Sequence, residues 1–90
     1  MNKKVLNEPA NSTRIDLWLW TARFYKTRAL AKHAIETGKI EIDGQSVKPS
    51  RLVKIQDQLQ ITRSNELFEI TVVSISEKRG SDSIAQTLYV

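Results

Sequence analysis

The 90-residue chain has no cysteine, so neither a disulfide framework nor a thiolate metal site supports it and its fold rests on an apolar core alone. Glycine is scarce, at three residues, and none of them forms a Gly-rich loop able to cradle a phosphate. A zinc site would have to recruit carboxylates around the single histidine, His33, and nothing in the sequence places it in a serine triad. No pair of carboxylates sits on a recognisable frame for acid–base work. No catalytic residue, metal or cofactor is therefore expected. Nowhere do eighteen apolar residues follow one another, and residues 1–13 hold no apolar run of the signal-peptide type. A cytoplasmic protein without membrane association is expected.

What is present fits one domain. With 40% hydrophobic residues and two tryptophans, a chain of this length buries only about 60–65% of its unfolded surface. A small core of this kind favours a surface that binds a partner over a deep enclosed cavity. The net charge of +4 is unevenly spread: residues 14–54 carry nine Lys and Arg against four acids, whereas 55–90 carry three against five. The middle of the chain thus has the field that steers a polyanion.

Residues 1–12, polar and without period, read as a flexible arm. Thr13-x-x-Asp16 has capping-box spacing and predicts a helix start, after which Ile15, Trp18, Leu19 and Ala22 share one side, and Leu17 and Trp20 another. A second helix is expected from Thr27, its hydroxyl as the cap, to Thr37, with Gly38 as the left-handed stop. Leu30, Ala31, Ala34 and Ile35 form its apolar stripe. Arg28, Lys32 and Glu36 follow at four-residue spacing on the next face. The period then changes to two at Ile40 and Ile42, and Asp43-Gly44 has the residue types of a tight hairpin turn, with Val47 continuing the returning strand. Residues 48–51 read as a loop, because Pro49 cannot donate to a ladder. Strands are expected over 58–63 and 67–75, joined through Ser64-Asn65. Ile84, Ala85, Leu88 and Tyr89 have the spacing of a terminal helical turn, so 77–90 is expected to be a loop and a short segment packed on the domain over 13–76.

The basic group comprises Arg14, Lys26, Arg28, Lys32, Lys39, Lys48, Arg51 and Lys54. A solvated surface kept basic for solubility explains such a group in many proteins. Here most of the cations lie on the second helix or on the loops at its ends, beside Thr27 and early helical amides that also suit phosphate oxygens. Phe24 and Tyr25, in the turn before Lys26, are candidates for base stacking; Trp18 reads as core.

Arg14-Ile15-Asp16-x-x-Leu19, Lys26-Thr27-Arg28-Ala29-x-Ala31, Ile35 and Gly38-Lys39-Ile40-x-Ile42-Asp43-Gly44 together resemble the RNA-binding domain named for small-subunit ribosomal protein four, the S-four domain. Trp18-Leu19-Trp20-x-x-Arg23-Phe24-Tyr25-Lys26-Thr27-Arg28-Ala29-Leu30-Ala31, with Lys48-Pro49-Ser50 after the hairpin, is further similar to the ribosome-associated heat-shock protein 15 family of bacteria. The resemblance implies an α+β fold of two helices on a small, mainly antiparallel sheet. It also implies binding to ribosomal RNA of the large subunit and a role with stalled subunits that still carry a nascent chain on transfer RNA. Two departures stand out. The family's Gly-Asp is here Gln56-Asp57, and its basic carboxy-terminal extension has no counterpart up to Val90, so affinity is expected to be lower or to draw on residues 1–13.

The expected mode is non-catalytic binding of a monomer to structured RNA, with no DNA partner. Arg28, Lys32 and Lys39 hold phosphates, Lys48 and Arg51 extend the track, Arg14, Lys26, Thr27 and His33 flank it, Tyr25 is the stacking candidate, and Asp43-Gly44 shapes the edge. Arg28→Glu with Lys32→Glu is expected to abolish binding and spare the fold. Two rival readings are an accessory module for a separate RNA-modifying or aminoacylating enzyme, and a protein-interaction domain anchored by Trp20 and Tyr25.

Overall fold

The spacing of residues 15–22 closes a helix, α1 (Ile15–Thr21), whose Ile15, Trp18 and Leu19 are fully buried while Trp20 stays half-buried on the other side. The computed structural model describes residues 12–76 and 79–90. Helix α1 does not begin with a capping box. Thr13 lies instead in a short strand, β1 (Ser12–Arg14), opposite Val53 of β4 (Leu52–Lys54), and the extended Arg14 precedes the helix without a side-chain cap. The first helical amides find carbonyls from a distant loop: Ile15 N donates to Arg51 O (2.8 Å) and Asp16 N to Pro49 O (3.4 Å). This backbone partnership replaces the hydroxyl that the sequence offered. The expected arm over 1–12 lies outside the described residues except for Ser12, which opens β1.

Helix α2 (Arg28–Glu36) starts as its residues dictate, with Thr27 Oγ1 accepting from Leu30 N at 3.0 Å. It stops at Gly38, which adopts φ +81° in open space, so it is the backbone angle and not crowding that asks for glycine there. Ala31, Ala34 and Ile35 face α1 and the sheet. Leu30 does not join them: it is 49% exposed, because it sits on the flank of the stripe.

Four antiparallel strands follow in the spatial order β3 (Gln45–Ser46), β2 (Ile40–Ile42), β5 (Gln58–Arg63), β6 (Glu66–Thr71). Both hairpins turn on two left-handed residues, Asp43 (φ 53°) with Gly44 (φ 81°), and Ser64 (φ 53°) with Asn65 (φ 65°), the geometry that matches strand twist. Two expected strands prove shorter. The return after Gly44 ends at Ser46, and Val47 packs against the core from the loop. The last strand ends at Thr71 and not at residue 75: Val72 N still donates to Asp57 O (2.9 Å), in register with the hairpin, but Val73 N and Ser74 N turn to Leu88 O (2.8 and 3.2 Å).

The segment that receives it contains α3 (Asp82–Ala85) and a 3-10 turn (Gln86–Leu88), and it returns Tyr89 opposite Val72. Trp18, at the centre of the core, packs against Phe24 and Tyr89 and donates its indole N–H to Ser74 O at 3.1 Å. Helix α1, the turn after it and the carboxy-terminal segment therefore meet on one side chain.

Candidate nucleic-acid interface

Asp16 is the organising group. It is 3% exposed, and both of its oxygens accept from arginine: Arg14 Nε to Oδ1 (3.2 Å), Arg14 Nη2 to Oδ2 (3.0 Å) and Arg28 Nη2 to Oδ1 (3.4 Å). Both arginine side chains remain 47% exposed. One buried carboxylate thus fixes two outward-reaching guanidiniums and leaves them one net positive charge, with donors free to face solvent. The role expected of Asp16, capping the helix, is replaced by this one.

The same helix start draws in the basic loop. Pro49 and Arg51 supply the carbonyls for the amides of Asp16 and Ile15, and Arg51 N closes a turn on Lys48 O at 2.9 Å. Arg14, Arg28, Lys48 and Arg51 therefore converge from three separated segments, with Lys32 one turn beyond Arg28 on the same face of α2. Among the described residues, Lys32, Lys48 and Arg51 make no ion pair with an acid. Lys26 and Thr27 stand exposed in the turn between α1 and α2, the Thr27 hydroxyl already engaged as the cap.

Two of the expected binding residues lie elsewhere. His33 and Lys39 sit on the opposite flank of α2, around a shallow recess shared with Tyr25, Leu30 and Arg63. Tyr25 is half-buried, and burial pushes its hydroxyl pKa above 10.0 against the opposing charge of Arg63. Phe24 is not available for stacking on a base: it is 7% exposed, with ring centroids 4.8 Å from Tyr89 and 6.3 Å from Trp18. The Asp43-Gly44 turn forms as expected and is held by Gln60 Oε1, which accepts from Gly44 N at 2.9 Å.

Sequence reasoning passed over Arg63 and Arg79. Arg63 Nη1 donates to Phe24 O (2.6 Å) and its guanidinium lies 5.4 Å from the Phe68 ring centre. Arg79 donates to Trp20 O and Tyr25 O and covers the Trp20 ring at 5.3 Å. Only three-dimensional neighbours assign these roles, since no local spacing marks either residue. The described residues contain no cluster of acids and histidines able to hold a metal and no helix long and apolar enough to cross a membrane.

The Asp16 pairing also changes the meaning of one substitution. Arg28→Glu would set a second carboxylate against a buried one, so that variant would test folding together with binding. Lys32→Glu with Arg51→Glu removes charge from the same face without that conflict.

Known proteins share this pattern. The S4 domain family model matches residues 13–59. Heat shock protein 15 of Escherichia coli (strain K12) is 45% identical over 82 residues, covering 91% of this chain and 62% of that protein. The chain thus spans less than two thirds of the length of that relative. The RQC P-site tRNA stabilizing factor of Listeria innocua serovar 6a is 38% identical over 77 residues, covering 86% of this chain and 84% of that protein. A trimeric structure of heat shock protein 15 from Vibrio cholerae superposes with a TM-score of 0.85 at 42% identity, covering 88% of this chain and 80% of that one. Its overlap reaches beyond the residues of the family model, so the α+β frame and the paired helices are shared as a whole. By the match over residues 13–59 and these likenesses, the chain belongs to the S4 domain family and, within it, is similar to heat shock protein 15.

Proposed function

We propose that this protein binds structured RNA without catalysis, gripping backbone phosphates with Arg14, Arg28, Lys32, Lys48 and Arg51. The observation that carries the reading is the buried Asp16, which holds two half-exposed guanidiniums ready beside a basic loop. Arginine fixed in this way meets phosphate without first losing side-chain freedom. The RNA is ribosomal RNA of the large subunit, engaged when a stalled or heat-stressed ribosome still holds peptidyl-transfer RNA. Two relatives support this by name, one a heat shock protein and one a factor that stabilises a P-site tRNA. The acting unit is a cytoplasmic monomer, whose cations are committed to RNA and not to DNA or a membrane.

Co-sedimentation with purified large subunits, small subunits and whole ribosomes across a salt series tests it. Selective pelleting with large subunits is expected, falling with a log-log salt slope of about −3.5 to −4.5 for five phosphate contacts. Equal pelleting with both subunits reduces the reading to general RNA binding, and salt-insensitive binding refutes the phosphate mode. Sedimentation equilibrium checks the monomer against the trimer reported for the Vibrio cholerae protein.

A further inference from the structure

On the flank of α2 away from Arg28, the surface dips into a shallow recess of about 220 Å3, floored by the apolar surfaces of Tyr25, Leu30 and Ala34. Its rim carries His33, Lys39 and Arg63, and among the described residues no carboxylate lines it. Arg63 is held in place by its bond to Phe24 O and by the Phe68 ring, whereas Lys39 pairs with no acid among the described residues. The Tyr25 hydroxyl is shut off from solvent with no hydrogen-bond partner among the described residues, a state that costs stability until a partner is supplied.

We propose that this recess receives one unpaired nucleobase, seated on Tyr25 and Leu30, with the adjoining phosphates on Lys39 and Arg63. The proposal rests on the RNA-binding reading above and adds to it a second contact on the other flank of α2. An apolar floor beside the cations Lys39 and Arg63 matches the two faces of a nucleotide, a flat ring that gains from stacking and a backbone that carries negative charge.

The test titrates the full chain with two RNA hairpins that are identical except for a single bulged 2-aminopurine in one of them. The bulged hairpin is expected to bind about tenfold more tightly, with quenching of its fluorescence. Leu30→Ser, at an exposed position and checked for folding by circular dichroism, is expected to erase the preference and leave the paired hairpin bound as before. Salt-sensitive binding of both hairpins without preference overturns the recess and leaves the phosphate reading standing. A preference that survives Leu30→Ser overturns it as well, by placing the base elsewhere. Binding to neither hairpin removes the RNA reading on which it rests.

Discussion

A carboxylate sheltered from solvent sets the direction of two arginines, and this makes Asp16 more consequential than its size suggests. Asp16→Asn keeps the shape and removes the charge that both guanidiniums share. Urea denaturation is expected to show a loss of about 1–2 kcal/mol, at the lower end for charge-assisted bonds because the arginines are half exposed. RNA affinity should fall too, although both arginines remain. Tyr25 behaves in the opposite sense. Its hydroxyl is buried without a partner, so Tyr25→Phe is expected to raise stability by about 1 kcal/mol. The same burial gives a pH signature. The folded-state pKa is raised, so between 10.0 and that higher value the folded chain holds a proton that the unfolded chain has released. Stability is therefore full below pH 10 and falls as pH rises beyond it, and Tyr25→Phe should flatten that fall in alkaline denaturation curves. The sequence marked Asp16 as a cap or a partner of Arg14 and Tyr25 as a stacking candidate, whereas the shared grip on Arg28 and the buried hydroxyl depend on residues that only folding brings together.

Among the elements, local chemistry decided what was legible. The spacing of Ile15, Trp18 and Leu19, the Thr27 cap, the Gly38 stop and the Asp43-Gly44 turn are written within a few residues, and each forms as its chemistry predicts. β1 and β4 escape such reading, because three residues are too few to show a period and each strand exists only through the other. The turn that leads out of β4 shows a different tension. Gln56 holds φ +79°, a left-handed conformation that costs a side chain, while Asp57 Oδ2 accepts from Lys54 N and Gln56 N donates to Val72 O. Gln56→Gly is expected to stabilise the chain by about 1 kcal/mol, measured as a raised thermal midpoint, with RNA binding unchanged. On the binding face, Lys32→Glu combined with Arg51→Glu should lower RNA affinity at least tenfold at moderate salt and leave the circular dichroism spectrum intact. Unchanged affinity in that variant would move the interface elsewhere.

For the molecule as a whole, the charge asymmetry visible in the sequence survives folding but divides in two. Helix α2 carries Arg28 and Lys32 on one flank and His33 on the other, where Lys39 follows beyond the helix end, so basic residues that are close in sequence lie on separate surfaces. Trp18 joins α1 to the carboxy-terminal segment, and Trp18→Ala is expected to cost about 3–5 kcal/mol, enough to unfold much of so small a domain. The pairing of β1 with β4 has a kinetic consequence as well. Three-residue strands separate from one another far more readily than the hairpin of β5 and β6 does, so this clasp can open while the larger sheet stays closed. When it opens, Arg14 and the loop ending at Arg51 part from each other, and the proposed binding face is expected to disassemble without global unfolding. In hydrogen exchange, the amides of Ser12 to Arg14 and Leu52 to Lys54 should therefore trade early in the free protein and slow markedly once RNA bridges them, so that the ligand acts as the missing length of two very short strands.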